Sequence, residues 1–217
     1  MTLHSEVEKG TIPGVGVTTS PKGLSYISNP SCAATIWRRQ PLESFQTWID
    51  DLSCDQLPRA RVILRQEMVR DAMADIVDAA GLPDCQERNM LADDVAALAN
   101  IFAAVMDAPY LRLRLDVICT NACRNFHIDA VTARLICTYR GSGTQYGTSA
   151  DGLEPHNIDG VPTGSPMIMR GTLWPCSPNR ALRHRSPQIE GTGETRLVLV
   201  LDPVTDPASE MDQHLLH

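Results

Sequence analysis

Between Pro41 and Ala108 the apolar residues recur every three to four positions. Leu42, Phe45, Trp48, Ile49 and Leu52 share one helical face, with Pro41 suited to the first turn. Met68, Val69, Ala72, Met73, Ile76 and Val77 define a second helix that stops at Gly81, with Pro83 just beyond. A third begins near Asp84 and carries Leu91, Val95, Leu98, Ile101, Phe102 and Val105. After Pro109 the period becomes two: Leu111, Leu113, Leu115 and Val117 alternate with Arg112, Arg114 and Asp116, the pattern of a half-buried strand. Further strands are predicted in "ARLICTY" and "SPMIMRG", with "GSGT" as a turn. "TRLVLVLD", apolar on both faces, is expected at the centre of a sheet. Helices followed by strands predict an α+β fold in which an N-terminal layer of helices covers one face of a curled sheet or barrel. Residues 1–35, rich in Gly, Pro, Ser and Thr, read as an extended N-terminal arm. Residues 36–217 then form a single domain: a helical layer over 36–108, a strand-built core over 109–203 and a tail over 204–217.

Composition narrows the classes of function. A chain of 217 residues with 43% apolar and 21% charged residues has an ordinary globular balance. A net charge of −7, with "WRRQ" and "RHRS" as short isolated basic stretches, predicts no nucleic-acid partner. The N-terminus has no basic start followed by an apolar core, and the run Val95 to Met106 is too short to span a bilayer. A cytoplasmic protein with no membrane partner is expected. Seven cysteines at irregular spacings suit reduced thiols. Cys119 and Cys123 lie just before His127, but without a second cysteine pair they read as packing or surface thiols rather than a zinc site.

The chemistry concentrates in "CRNFHIDAVTARLICTYRGSGTQYG". His127-Ile-Asp129 places an imidazole and a carboxylate two residues apart. With six histidines and 26 acidic residues such a pair arises readily by chance, so context has to carry it. Two imidazoles and one carboxylate on one face of iron(II) leave other positions open for a co-substrate and oxygen. A second histidine is therefore required. His4, His214 and His217 sit in tails, and His156 lies in a glycine-bounded loop, whereas His184 precedes a hairpin and a buried strand able to fix it. The same segment carries Arg196 at the mouth of that strand. A buried arginine needs a partner, either a bidentate carboxylate ligand or a structural ion pair. The Gly-x-Gly of "RGSGTQYG" opens no helix and reads as a strand turn. Cys137 reads as an inert buried thiol, and Ser142 and Ser186 as hydrogen-bonding residues.

"FHIDAVTARLICTYRGSGTQY" followed by "GSPMIMRGTLWPCSPNRALRHRSPQIEGTGETRLVLVLD" resembles the iron(II)- and 2-oxoglutarate-dependent dioxygenases. More narrowly, the Phe-His-x-Asp, Arg-Leu-x-x-Thr-Tyr-x-Gly-x-Gly-Thr and His-Arg-Ser-Pro elements resemble an uncharacterised bacterial family known as a domain of unknown function. The resemblance covers roughly residues 110–203 and implies a double-stranded β-helix, a cupin-like jelly roll. It implies that His127, Asp129 and His184 hold the metal and that Arg196 takes the distal carboxylate of 2-oxoglutarate, with Arg134 or Tyr139 assisting. The interval from His184 to Arg196 is a little longer than the dioxygenase superfamily usually shows, which leaves Arg134 as the fallback anchor. The implied cofactors are Fe(II) and 2-oxoglutarate, and the reaction is oxidation of a small-molecule or protein substrate. The alternative is a non-enzymatic metal-binding protein of bacterial zinc or metal homeostasis, with Zn on the same ligands and Cys123 completing the shell.

Overall fold

The computed structural model describes residues 7–149, 153–175 and 182–208. The helical periodicities fall on α1 (Glu43–Asp51), α2 (Val69–Ala79) and α3 (Gln86–Met106). α3 ends on Asp107 in the left-handed region, whose N–H caps the Ala103 carbonyl. By length and composition α3 is apolar enough to cross a membrane. In the fold it lies against the sheet, with Leu91, Val95, Leu98 and Phe102 fully buried.

The strands are β1 (Val7–Lys9), β2 (Val15–Thr18), β3 (Ala34–Trp37), β4 (Ala60–Leu64), β5 (Tyr110–Ile118), β6 (Ala133–Arg140), β7 (Gln145–Thr148), β8 (Ile158–Gly160), β9 (Met167–Arg170), β10 (Leu182–Arg185) and β11 (Arg196–Val204). Eight of them form one sheet in the order β1-β2-β3-β9-β6-β11-β5-β4; the other three form a small sheet, β10-β7-β8. Pairing is antiparallel except between β2 and β3. β11, apolar on both faces, is central, between β5 and β6.

The large sheet has a core on each face. On one, Leu111, Leu113 and Leu115 of β5, Leu135, Cys137 and Tyr139 of β6, and Leu197, Leu199 and Leu201 of β11 pack with residues of the three helices. On the other, Ile136, Met167, Met169, Val198 and Val200 pack with Tyr146 and Leu182 of the small sheet. Strand alternation sorts residues between the two.

Two sequence expectations need correction. The described part of the supposed arm, residues 7–35, supplies β1, β2 and the start of β3, and the 3-10 helix Pro21–Ser28 between them buries Leu24 and Ile27 completely. Its glycines and prolines serve tight connections: Gly14 turns at positive φ immediately before β2. The region 36–108 is also not purely helical, because β3 ends within it and β4 forms the edge of the large sheet. Both strands are short, and their apolar residues pair with segments distant in sequence, β3 with β9 and β4 with β5.

Candidate metal centre

His127 and Asp129 lie on the link between β5 and β6, and His184 lies on β10. The two histidines form an isolated antiparallel bridge. The His127 N–H donates to the His184 carbonyl and the His184 N–H to that of His127, each at 3.0 Å. The backbone therefore fixes the imidazoles side by side, with ring centroids 4.5 Å apart. Asp129 is anchored from β9's far end: the Thr172 N–H donates to the Asp129 carbonyl at 2.9 Å, and the Gly171 N–H to Thr132 at 2.9 Å. Only glycine suits position 171, since a Cβ there would stand 1.9 Å from the Val131 carbonyl oxygen.

One nitrogen of each histidine and one carboxylate oxygen of Asp129 lie within 4.8 Å of one another. His184 Nε2 is 3.1 Å from Asp129 Oδ2, and His127 Nε2 is 3.6 Å from Oδ1. Asp129 Oδ2 is nevertheless buried and receives no hydrogen bond of acceptable geometry. A buried, unbonded carboxylate oxygen facing two imidazoles fits a cation, which all three can serve as electron-pair donors. His127 is prepared for that role because its Nδ1 lies 2.9 Å from the Asn125 carbonyl; a proton there leaves the Nε2 lone pair towards Asp129.

Electrostatics favour the ligating state of the carboxylate. Burial alone would raise the Asp129 pKa, but the close imidazoles of His127 and His184 and the charge of Arg134 hold it far below the usual range. His184 is shifted down by burial, which favours the neutral ring, whereas contact with Asp129 shifts His127 up.

Arg134 binds Asp129 Oδ1 at 2.6 Å and grips Asp202 with Nε at 2.6 Å and Nη2 at 2.8 Å. Its guanidinium is thus committed to orienting a ligand, a poorer fit to the anchor role implied for it. Tyr139 requires a plain correction. It is five residues from Arg134, an odd interval, so β6 turns it to the opposite face. There it is fully packed beside Phe45 and donates to Asp94 at 2.7 Å, away from the triad.

The triad opens into a cavity of about 660 Å³, whose wall also includes Arg114, Arg134, Ile136, Val198, Val200 and Arg196. Arg196 is 1% exposed. Its Nε donates to the Ser142 carbonyl at 2.6 Å and Nη2 approaches the Thr138 hydroxyl at 3.4 Å. No carboxylate among the described residues forms an ion pair with it, and burial lowers its pKa to about 10, leaving it charged at neutral pH. Cys123 lines the cavity but is not among the converging donors, and Cys119 and His156 are exposed. His4, His214 and His217 lie outside the described residues.

The model of the family described as "Protein of unknown function (DUF1826)" matches residues 18–202. No curated protein matches. Among solved structures, the dioxygenase for auxin oxidation 1 from Arabidopsis thaliana, in its 2-oxoglutarate binary complex, superposes with a TM-score of 0.57 at 8% identity, over 91% of this chain and 94% of that one. The rice dioxygenase for auxin oxidation gives 0.48 at 12% identity, over 87% and 79%. A prolyl-4-hydroxylase from Pseudomonas putida gives 0.47 at 10%, over 86% and 100%. At such identity the likeness to the Arabidopsis protein is one of fold, the jelly roll of the 2-oxoglutarate dioxygenases.

Proposed function

The chain belongs to the DUF1826 family, and from that premise we propose that it is an iron(II)- and 2-oxoglutarate-dependent oxygenase. One observation carries the reading: a single cavity holds both the His127-Asp129-His184 donor set and the buried guanidinium of Arg196, which has no ion pair among the described residues. A metal-handling site needs the first and has no use for the second.

His127, Asp129 and His184 would hold the metal. With 2-oxoglutarate bound, iron(II) would supply the oxygen chemistry, so no side-chain general base is required. The remaining residues bind and orient. Asp202 holds Arg134 in a bidentate grip, and Arg134 in turn holds Asp129 ionised and aimed. Arg196 takes the distal carboxylate of 2-oxoglutarate, with Thr138 beside it. Ile136, Val198 and Val200 form a dry wall between the two ends, which strengthens the electrostatics of both.

The test is metal analysis of anaerobically purified protein followed by titration with iron(II) and 2-oxoglutarate. About one metal ion per chain is expected, lost in His127→Ala and His184→Ala, together with a visible charge-transfer band when both components are present. Tightly held zinc with no response to 2-oxoglutarate would overturn the oxygenase reading.

A further inference from the structure

The cavity runs past the triad to the free edge of the large sheet, and there its charge is out of balance. β4 is the edge strand and β5 its neighbour, and Arg61 and Arg114 are direct register partners across them. Both belong to the cavity face, since Ala60, Leu64, Leu113 and Leu115 on the alternate positions pack into the helix-side core. Like charges placed opposite each other on one face of an antiparallel pair are destabilising.

Among the described residues, one ion pair relieves this pair. Arg114 is half-buried, with Asp116 3.5 Å away; its burial and the charges of Arg134 and Arg61 depress its pKa against the opposing pull of Asp116 and Asp202. No carboxylate among the described residues forms an ion pair with Arg61. Arg59 lines the same end; it donates to the Val117 carbonyl at 3.1 Å and has no carboxylate partner among the described residues. Among the described residues, three guanidiniums therefore have one ion-pairing carboxylate between them, with Asp202 acting on Arg114 from further off, in a chain whose net charge is −7. The next arginine along β5 shows the ordinary solution: Arg112 lies 3.8 Å from Asp202. Defence of a sheet edge explains an exposed arginine on β4 but not Arg114, which is on the second strand and half-buried.

We propose that Arg59, Arg61 and Arg114 form a binding site for an anionic group of the substrate, which makes the substrate an organic anion: a carboxylate, or a phosphate or sulfate ester. Its charged end bridges the opposed arginines while the remainder occupies the cavity towards the triad. The assignment rests on the oxygenase reading for its meaning, since it takes the triad as the place of reaction.

Sulfate and benzoate serve as probes, titrated calorimetrically into protein loaded with iron(II) and saturating 2-oxoglutarate without oxygen. At least one should bind saturably, and Arg61→Gln/Arg114→Gln should weaken it by about tenfold or more while the charge-transfer band persists. Arg61→Gln alone, at an exposed position, should weaken it in the same direction without a packing change. The favoured probe distinguishes a tetrahedral head group from a carboxylate. No saturable binding of either, or equal binding by the variants, overturns the anion site. If the wild type shows no charge-transfer band, the oxygenase reading fails separately. The titration is then run without metal or 2-oxoglutarate, where loss in Arg61→Gln/Arg114→Gln with retention in Arg196→Gln supports the anion site and the reverse pattern overturns it.

Discussion

The two faces of the large sheet are built from the same three strands and do opposite work. Towards the helices, β5, β6 and β11 present Leu111, Leu113, Leu115, Leu135, Cys137, Tyr139, Leu197, Leu199 and Leu201, nearly all inaccessible to solvent. Towards the cavity the intervening positions are Arg112, Arg114, Asp116, Arg134, Ile136, Thr138, Arg196, Val198, Val200 and Asp202. Burial of apolar area stabilises the first face. The second face concentrates charge where water is scarce, a net cost unless each group is paired or awaits a ligand. The helix-side core thus supports an arrangement on the other side that would not hold by itself.

Substitutions on each face should therefore separate stability from binding. The largest loss of stability is expected from Asp202→Asn, because Asp202 is 2% exposed and is the shared partner of Arg134 and Arg112. Denaturant unfolding should show a cost of about 3–5 kcal/mol. Metal affinity should also fall, by about 10–100-fold, as Asp129 loses its support. Leu199→Ala, on the helix side, should cost about 3 kcal/mol by opening a cavity, and the folded fraction should keep its affinity for metal and 2-oxoglutarate. Tyr139→Phe is the mildest: it removes the hydrogen bond to Asp94 for about 1 kcal/mol and leaves 2-oxoglutarate binding unchanged. An effect of Tyr139→Phe on the co-substrate would mean that the two faces communicate in a way their packing does not suggest.

Much of this division was legible in the sequence. The Leu-Arg alternation of β5 and the two-sided apolarity of β11 identified strands, and "FHID" with His184 identified donors that the bridge brings side by side. Strand parity is legible there too: an interval of five between Arg134 and Tyr139 assigns them to opposite faces. Other features depend on non-local pairing. The Gly- and Pro-rich start gains its order from β2 lying beside β3 and β3 beside β9. The basic end of the cavity leaves no local trace, because Arg59 and Arg61 are some fifty residues from Arg114 and only the register of β4 on β5 unites them. The alternating arginines of β5 suggested a face turned to water, and the small sheet converts that face into the wall of a cavity.

The most direct test of the central claim, that metal and co-substrate occupy two ends of one cavity, is Arg196→Gln assayed for both. Iron content and the 2-oxoglutarate charge-transfer titration would be measured on the same anaerobic sample beside the wild type. Arg196→Gln should keep its metal at about one ion per chain while 2-oxoglutarate binding weakens by about 100-fold, the effect of removing a charge-assisted carboxylate contact. Unchanged 2-oxoglutarate affinity in that variant, or loss of the metal with it, would contradict the claim.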